Sequence, residues 1–217
     1  MLEYIIKGGP LMIPLMIESI LAIGVFIDRA LAFRANGRVD TRALRAKILQ
    51  LLNEDKIAEA AQLCANTPGP VSAVLLAGLQ AYEKHSHATQ RPEVLRPLVE
   101  DALEDYSYSA MNAVQKRLNI LSFIGNSAPL LGMTGTVTGM IKSFAAIAGA
   151  GALQGGIVAA GISEALITTA AGLLIAMVAV IPFHYYSSRA EQIELEVHEA
   201  SAELLDFVTL RHSEAAR

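Results

Sequence analysis

The sequence predicts an all-α integral membrane protein with three transmembrane helices, of which the second and third extend into a helical cytoplasmic domain. Three observations predict this fold class. Hydrophobic residues make up 53% of the chain and charged residues 18%, whereas soluble domains have about 45–50% and about 25%. The apolar residues concentrate in three long blocks. The lysines and arginines flank these blocks in a pattern that fits three crossings.

The three blocks cover residues 11–33, 118–148 and 157–186. A bilayer core needs roughly 20 apolar residues in a helix, so each block is long enough to cross it. The second and third blocks have about 30 residues each, or about 45 Å as helices, and we expect both to continue beyond the lipid on one side. Residues 149–156 form an uncharged, glycine-rich linker, which predicts a hairpin between two antiparallel spans.

The basic residues predict the orientation of the spans. They follow the first block, precede the second and follow the third, whereas the hairpin linker carries no charge. We therefore expect segment 1–10 on the outer side, and residues 34–117 and 187–217 in the cytoplasm. The N-terminus lacks the basic start and cleavage site of a signal peptide, so the first block is predicted to remain as an anchor. The flanking basic residues are Arg29, Arg34, Arg38, Arg42, Arg45, Lys47, Lys116, Arg117 and Arg189.

Residues 34–117 are predicted to form a helical domain. Asp40 is the expected cap of its first helix, a second helix begins near Asp55, and a third follows the break at Pro68-Gly69-Pro70. A long helix from about Glu93 is expected to run without interruption into the second span.

The C-terminal segment 187–217 predicts an amphipathic helix with a narrow apolar stripe and an acidic polar face. Because an acidic face is unsuited to the anionic inner leaflet, we expect this helix to pack against neighbouring helices. The stripe consists of Ile193, Val197, Ala200, Leu204 and Val208.

Composition and motifs exclude several function classes. The net charge of −4 argues against a nucleic-acid partner. Cys64 is the single cysteine, so we expect a buried, reduced thiol and no intrachain disulfide. The histidines show no metal-ligand spacing other than the His85-x-His87 pair, whose side chains we expect to be solvated in a polar loop, and no nucleophile stands beside a base. We expect no enzyme activity, no metal and no cofactor.

Small residues form a stripe on the second span. At about 100° per residue, Gly132, Thr136, Gly139 and Ser143 share one helical face, and Gly135 pairs with Gly139 at an adjacent angle. Such residues allow membrane helices to approach closely, and we also assign packing roles to two glycines of the third span, Gly161 and Gly172. The stripe is compatible with a pure packing face and with the lining of an ion pathway.

Glu164 is the acidic residue inside the third span. A carboxylate at mid-span costs about 2.5–3.5 kcal/mol on insertion scales and usually faces a bundle interior or an aqueous path. It is either a structural, hydrogen-bonded carboxylate or part of an ion pathway. Thr168 lies about 40° from it around an ideal helix, and Thr169 about 140°. Together with the small-residue stripe, these residues predict a polar seam inside a helix bundle.

Three motifs resemble the MotA/TolQ/ExbB proton channel family, and specifically its ExbB/TolQ branch. They are Ala128-Pro129-Leu130-Leu131-Gly132, Gly135-Thr136-Val137, and Ile162-Ser163-Glu164-Ala165-Leu166 through Thr169-Ala170. The resemblance covers nearly the whole chain, with further matches in the first span and in the cytoplasmic helices.

The resemblance implies a subunit of a bacterial inner-membrane motor driven by the proton motive force. It implies a homopentamer around a dimer of single-span ExbD- or TolR-like partners, with a TonB- or TolA-like protein as a further partner. A partner aspartate carries the proton in this family. When the family's pore-lining positions are transferred residue by residue to this sequence, they fall on Thr136, Glu164 and Thr169. We keep Thr168 as a second choice to Thr169.

Two features depart from the family pattern. The family usually has Ala-Ile-Pro where this chain has Ala176-Met177-Val178, and Pro182 follows about one turn later, so we expect any kink to be displaced towards the cytoplasm. Glu18 in the first span has no assigned counterpart. It either snorkels to the outer interface or pairs with a basic residue of a partner. A non-conducting scaffold that clusters partner proteins is the alternative function.

Overall fold

The structure is a computed structural model that describes residues 8–36, 40–86, 91–150 and 155–215. Every regular element in these ranges is an α-helix. The helices are α1 (Met12–Asn36), α2 (Thr41–Asn53), α3 (Ile57–Asn66), α4 (Pro70–Ser86), α5 (Pro92–Gln115), α6 (Leu118–Ala150) and α7 (Gly155–Ala215). Most of the predicted outer segment 1–10, the centre of the predicted hairpin and His87 lie outside the described residues.

Two compact units divide the chain. The first contains α1 up to Ala30 and the segment Arg117–Tyr186, and the second contains Leu31–Lys116 and the rest of α7. Since α7 runs from Gly155 to Ala215 without a break, the predicted third span and the predicted C-terminal helix form one continuous element.

Two of the described helices are long and apolar enough to cross a membrane. They provide the segments Leu118–Ala148 of α6 and Val158–Arg211 of α7. The first helix is not among them: it carries Glu18, Asp28 and Arg29 within its 25 residues. A third crossing by α1 therefore stays a prediction.

The outer surface of the first unit is strongly apolar. On α1, for example, Ile13 is 65% exposed and Ile20 68%, and on α6 Phe144 is 68% exposed. Exposed apolar surface of this extent needs lipid or another protein to cover it. Other exposed apolar side chains of this unit are Ile17, Ile27, Leu31, Leu130, Met133, Ile141, Leu166, Leu174 and Ile181.

The second unit is a helical domain with a core of its own. The apolar faces of α2, α3, α4 and α5 surround the C-terminal part of α7. The predicted stripe of α7 contributes Val197, Ala200, Leu204 and Val208 to this core as buried residues, with Ile193 half-buried beside them. The amphipathic C-terminal helix thus packs against neighbouring helices.

Polar contacts fix the start of α2 and its position on α7. The Asp40 carboxylate accepts hydrogen bonds from the backbone N–H groups of Arg42 and Ala43, each at 3.1 Å, which confirms the predicted cap. The Arg45 guanidinium donates to Glu199 at 2.6 Å and pairs with both carboxylate oxygens of Glu203. These acceptors raise the pKa of Arg45 above its ordinary value.

The helix predicted from about Asp55 is present. It begins at Ile57, two residues later, because Asp55 adopts a φ of 64°, in the left-handed region that a right-handed helix excludes. One predicted continuity is wrong. The uninterrupted helix expected from Glu93 is broken, since α5 ends at Gln115 and α6 begins at Leu118. At this junction the Ile120 N–H donates to the Arg117 carbonyl, a tighter bond across three residues that interrupts the α-helical pattern.

Candidate functional site

The candidate site lies in the first unit, where α6 and α7 approach closely. A Cβ atom at Gly132 would lie 3.1 Å from the Thr169 Cα, and one at Gly139 would lie 2.9 Å from the Gly161 carbonyl oxygen. One at Gly172 would lie 2.5 Å from the Ala128 carbonyl oxygen. The backbones themselves are therefore in contact along this line, which is the close approach that small residues permit.

Thr169 joins the two helices. Its Oγ1 lies 2.8 Å from the Gly132 carbonyl oxygen on α6 and 3.0 Å from the Ala165 carbonyl oxygen on its own helix. The side chain is half-buried. A hydroxyl has one hydrogen to donate and two lone pairs that accept, so Thr169 keeps acceptor capacity at the edge of the contact.

Thr168 lies deeper than Thr169. It is 1% exposed, and its Oγ1 lies 2.6 Å from the Gly8 carbonyl oxygen and 2.9 Å from the Glu164 carbonyl oxygen. Its methyl group faces Gly135, where a Cβ atom would lie 2.7 Å away. Thr168 therefore holds the turn that precedes α1 against α7, a contact with Gly8 that sequence patterns do not reveal.

Glu164 forms an ion pair with Lys142. The Glu164 Oε1 accepts a hydrogen bond from the Lys142 Nζ at 3.0 Å. A Cβ atom at Gly9 would lie 2.9 Å from the Glu164 carboxyl carbon, and Gly9 has a φ of 72°, so a larger residue would be excluded both by space and by conformation. Sequence reasoning missed Lys142 as a site residue. The sequence signal for Lys142 is that the second and third predicted spans each carry one charged residue, and that the two charges are opposite in sign.

Thr136 stands apart from these contacts. Its Oγ1 donates to the Met133 carbonyl oxygen of its own helix at 2.6 Å, and its side chain is half-buried. Within the described residues, no hydrogen bond links Thr136 to Glu164, Thr168 or Thr169. Its predicted neighbours on the stripe, Gly132, Gly139 and Ser143, are buried at the contact with α7, so Thr136 occupies the margin of the packed face.

Glu18 is turned towards α6. Its Oε1 accepts a hydrogen bond from the Ser127 hydroxyl at 2.7 Å, and its Oε2 is buried with no hydrogen-bond partner among the described residues. This contact lies within the chain and does not test snorkelling to the outer interface, which stays a prediction. Pairing with a partner's basic residue stays a prediction.

A second ion cluster ties α1 to the start of α6. Asp28 accepts from the Arg29 Nη2 at 2.7 Å and from the Arg117 guanidinium. Three charges near one end of the spans contrast with the single Lys142–Glu164 pair near the hairpin end. In the part of the chain that the structure describes, no cluster of histidine, cysteine, aspartate or glutamate has the geometry of a metal site.

Sequence comparison decides the family of this chain. The profile of the MotA/TolQ/ExbB proton channel family matches residues 66–199, a range that includes all of α6 and every contact described between α6 and α7. The chain belongs to the MotA/TolQ/ExbB proton channel family. This is a family of channels, not of enzymes, and the predicted resemblance is confirmed.

Relatives with ExbB and TolQ names place the chain in the ExbB/TolQ branch. It is 31% identical to the biopolymer transport protein ExbB of Pseudomonas putida over 91% of this chain and 59% of that protein. It is 33% identical to an ExbB-like biopolymer transport protein (ExbB-like 1) of Synechocystis sp. over 88% and 72%. The Tol-Pal system protein TolQ of Pseudomonas aeruginosa is 31% identical over 59% of this chain and 57% of that protein. The chain thus spans less than two thirds of two of these proteins.

Proposed function

We propose that this protein is the channel subunit of a bacterial inner-membrane motor that couples the proton motive force to work on a periplasmic or outer-membrane partner. In this proposal five copies surround a dimer of single-span ExbD- or TolR-like proteins, and a TonB- or TolA-like protein receives the work. Family membership supports the channel role, and the ExbB and TolQ names of its relatives support the class of partner.

The observation that carries the proposal is the polar seam itself. Glu164, Lys142, Thr168 and Thr169 lie at several points along the contact between two apolar helices. Each charged side chain within lipid costs several kcal/mol unless it is paired or hydrated, so such groups usually mark ion pathways. A simple packing contact between α6 and α7 needs only the glycines.

Threonine hydroxyls suit the transfer of protons from a partner carboxylate. They donate and accept, so they can hold a carboxylic acid, a carboxylate or a water molecule in turn. The partner acid has to be neutral when it passes the apolar wall of the channel, because burial disfavours its charged form. Protonation would then gate the relative rotation of pentamer and dimer.

Side-chain exposure supports Thr169 and Thr136 as the residues whose hydroxyls contact the single-span partner. Both are half-buried within the single chain, whereas Thr168 is 1% exposed and bonded to Gly8. A buried hydroxyl that already holds the turn before α1 is poorly placed for an incoming helix. We therefore keep Thr169 as the first choice and assign Thr168 a supporting role beside Glu164.

We propose three membrane crossings with the N-terminus in the periplasm and residues 34–117 and the C-terminus in the cytoplasm. Two observations support a crossing by α1. Its apolar side chains are exposed along its length, and it contacts α6 through both the Glu18–Ser127 bond and the Asp28–Arg117 pair. Both contacts support a position of α1 alongside the apolar part of α6.

A non-conducting scaffold is the second candidate function. It is favoured by one observation: the Thr168 and Thr169 hydroxyls both have acceptors within the chain, on Gly8 and Gly132. Hydrogen bonds of this kind contribute to helix association in membranes without any transport.

Proton flux separates the two candidates. The purified chain is reconstituted in liposomes with its single-span partner, and an enclosed pH-sensitive dye reports flux under an imposed proton gradient. We expect flux in the wild type, and its loss in Thr136→Ala and Glu164→Ala variants whose oligomer size is unchanged. A sealed wild-type complex would support the scaffold. Wild-type flux in both variants would refute the assignment of these residues to the pathway.

A further inference from the structure

Lys142 and Glu164 are isolated charges within apolar segments. Lys142 is the only charged residue in 118–148, and Glu164 is the only aspartate, glutamate, lysine or arginine in 157–186. Their side chains meet at 3.0 Å between Nζ and Oε1. In the single chain, 57% of the Lys142 side chain is exposed and 29% of the Glu164 side chain. Ile141, Phe144 and Leu166, which are close to them in sequence, are exposed apolar side chains.

Contacts from several directions define the position of the Glu164 carboxylate. Lys142 holds one oxygen from α6. Gly9, in the turn before α1, lies so close that a methyl group there would overlap the carboxylate. The Thr168 hydroxyl lies 2.9 Å from the Glu164 backbone carbonyl oxygen and 2.6 Å from the Gly8 carbonyl oxygen. Removal of Lys142 would leave the carboxylate confined by Gly9 but without its charged partner.

We propose that Lys142 is a positioning residue, and that Lys142 and Glu164 act as one net-neutral unit beside the seam. The consequence for transport rests on the proposed channel function. In the proposed channel, the Lys142–Glu164 ion pair borders the proton pathway, and not the Glu164 carboxylate alone. The two residues therefore depend on each other: loss of one charge leaves the other uncompensated in an apolar surrounding, which costs more than loss of both.

A distance measurement tests the pair without any transport assay. In membranes that contain the full-length chain, solid-state NMR measures the dipolar coupling between lysine Nζ and glutamate carboxyl carbons. The Lys56–Glu54 pair, at 2.8 Å, provides an internal reference in the second unit. We expect the total lysine–glutamate signal of the wild type to be the sum of the Lys142–Glu164 and reference couplings, and to fall to the reference coupling alone in Lys142→Met. No decrease in Lys142→Met would overturn the proposal.

Two substitutions at one position separate charge from packing. Methionine keeps the length of the lysine side chain without its charge, and arginine keeps the charge. With oligomer size unchanged, we expect Lys142→Met to lower proton flux about tenfold, and Lys142→Arg to retain most of it. Equal loss in both would show that the charge is not what matters, and would overturn the proposal. Lys84→Met, at an exposed lysine of α4, is the matched control and should leave flux unchanged.

The reversed pair completes the test. We expect Lys142→Glu alone and Glu164→Lys alone to impair assembly, and the double variant to recover assembled protein. A double variant as impaired as the worse single would contradict the proposal. If the wild type conducts no protons, the channel proposal fails, but the NMR coupling and the recovery of assembly still decide whether the two residues act as a unit.

Discussion

The Thr169 hydroxyl lies 2.8 Å from the Gly132 carbonyl oxygen and links α7 to α6 where the two backbones are in contact. This bond is possible because Gly132 has no side chain: a Cβ atom there would stand 3.1 Å from the Thr169 Cα. The packing glycine and the hydroxyl predicted to border the pathway thus form one structural element.

Gly132→Val should destabilise the contact between α6 and α7. Overpacking a close contact costs about 1–3 kcal/mol, and here the obstructing atoms belong to the backbone of α7, which has little freedom to move. Thermal unfolding of the purified protein in detergent measures the loss. Gly24→Val is the control, because nothing lies within 4 Å of a Cβ atom at Gly24 on α1. Equal effects of the two substitutions would contradict close packing at Gly132.

Thr168→Val and Thr169→Val should affect different properties. Thr168→Val removes the donor to the Gly8 carbonyl in a buried site, and an unsatisfied buried group costs about 1–3 kcal/mol. Thr169→Val removes a hydrogen bond between helices, worth about 0.6 kcal/mol on average, but also the more accessible hydroxyl. We expect the former to lower stability more and the latter to lower proton flux more. Both quantities are measured on the same preparations, and the reverse order would exchange the two roles.

The Cys64 thiol should be unreactive in the folded protein. It is 2% exposed, and burial raises its pKa from 9.0 to about 11. Alkylation by iodoacetamide, followed by mass spectrometry, should be slow at neutral pH and become fast in denaturant. A Gln80→Cys variant introduces a second thiol on the exposed face of α4 and should react at once. Rapid labelling of Cys64 without denaturant would contradict its burial.

The raised pKa of Cys64 also determines how the stability of the folded domain changes with pH. Between about pH 9 and 11 the unfolded chain releases the thiol proton while the folded domain retains it. The folded state then binds more protons, so its stability falls as pH rises through this interval. Cys64→Ala removes this contribution, and its unfolding free energy should decline less steeply over the interval than that of the wild type.

Arg45→Met should loosen the attachment of α2 to α7. The Arg45 side chain is 15% exposed and pairs with Glu199 and Glu203, which are 49% and 37% exposed. Because these carboxylates are partly solvated, we expect a loss of only about 1 kcal/mol, which is smaller still at high salt. Thermal unfolding at low and high salt measures it. Arg42→Met, at an exposed arginine of the same helix, should change stability little at either salt concentration.

Local patterns explain which features could be predicted. The Asp40 cap and the α7 stripe depend on residues within a few turns of one helix, and both are present. The prediction of one long helix from Glu93 was wrong at Lys116 and Arg117. The residues on both sides of this point are compatible with a helix, so the sequence does not reveal the interruption in backbone hydrogen bonding.

Contacts between residues that are far apart in the sequence could not be predicted from local patterns. Lys142 and Glu164 are 22 residues apart, and Thr168 and Gly8 are 160 apart. Their meeting depends on the register between helices. A shift of one residue along α6 would rotate Lys142 by about 100° and separate it from Glu164.

By itself, the sequence determined the family and the helical class and predicted Glu164, Thr168 and Thr169 as residues of the seam, because composition, periodicity and short motifs are local properties. Only the tertiary structure decided that Glu164 pairs with Lys142, that Thr168 holds Gly8, and that Glu18 turns to Ser127. The physical reason is that these partners are selected by how glycine and side-chain contacts align α1, α6 and α7. That alignment is a property of the packed helices together and of none of them alone.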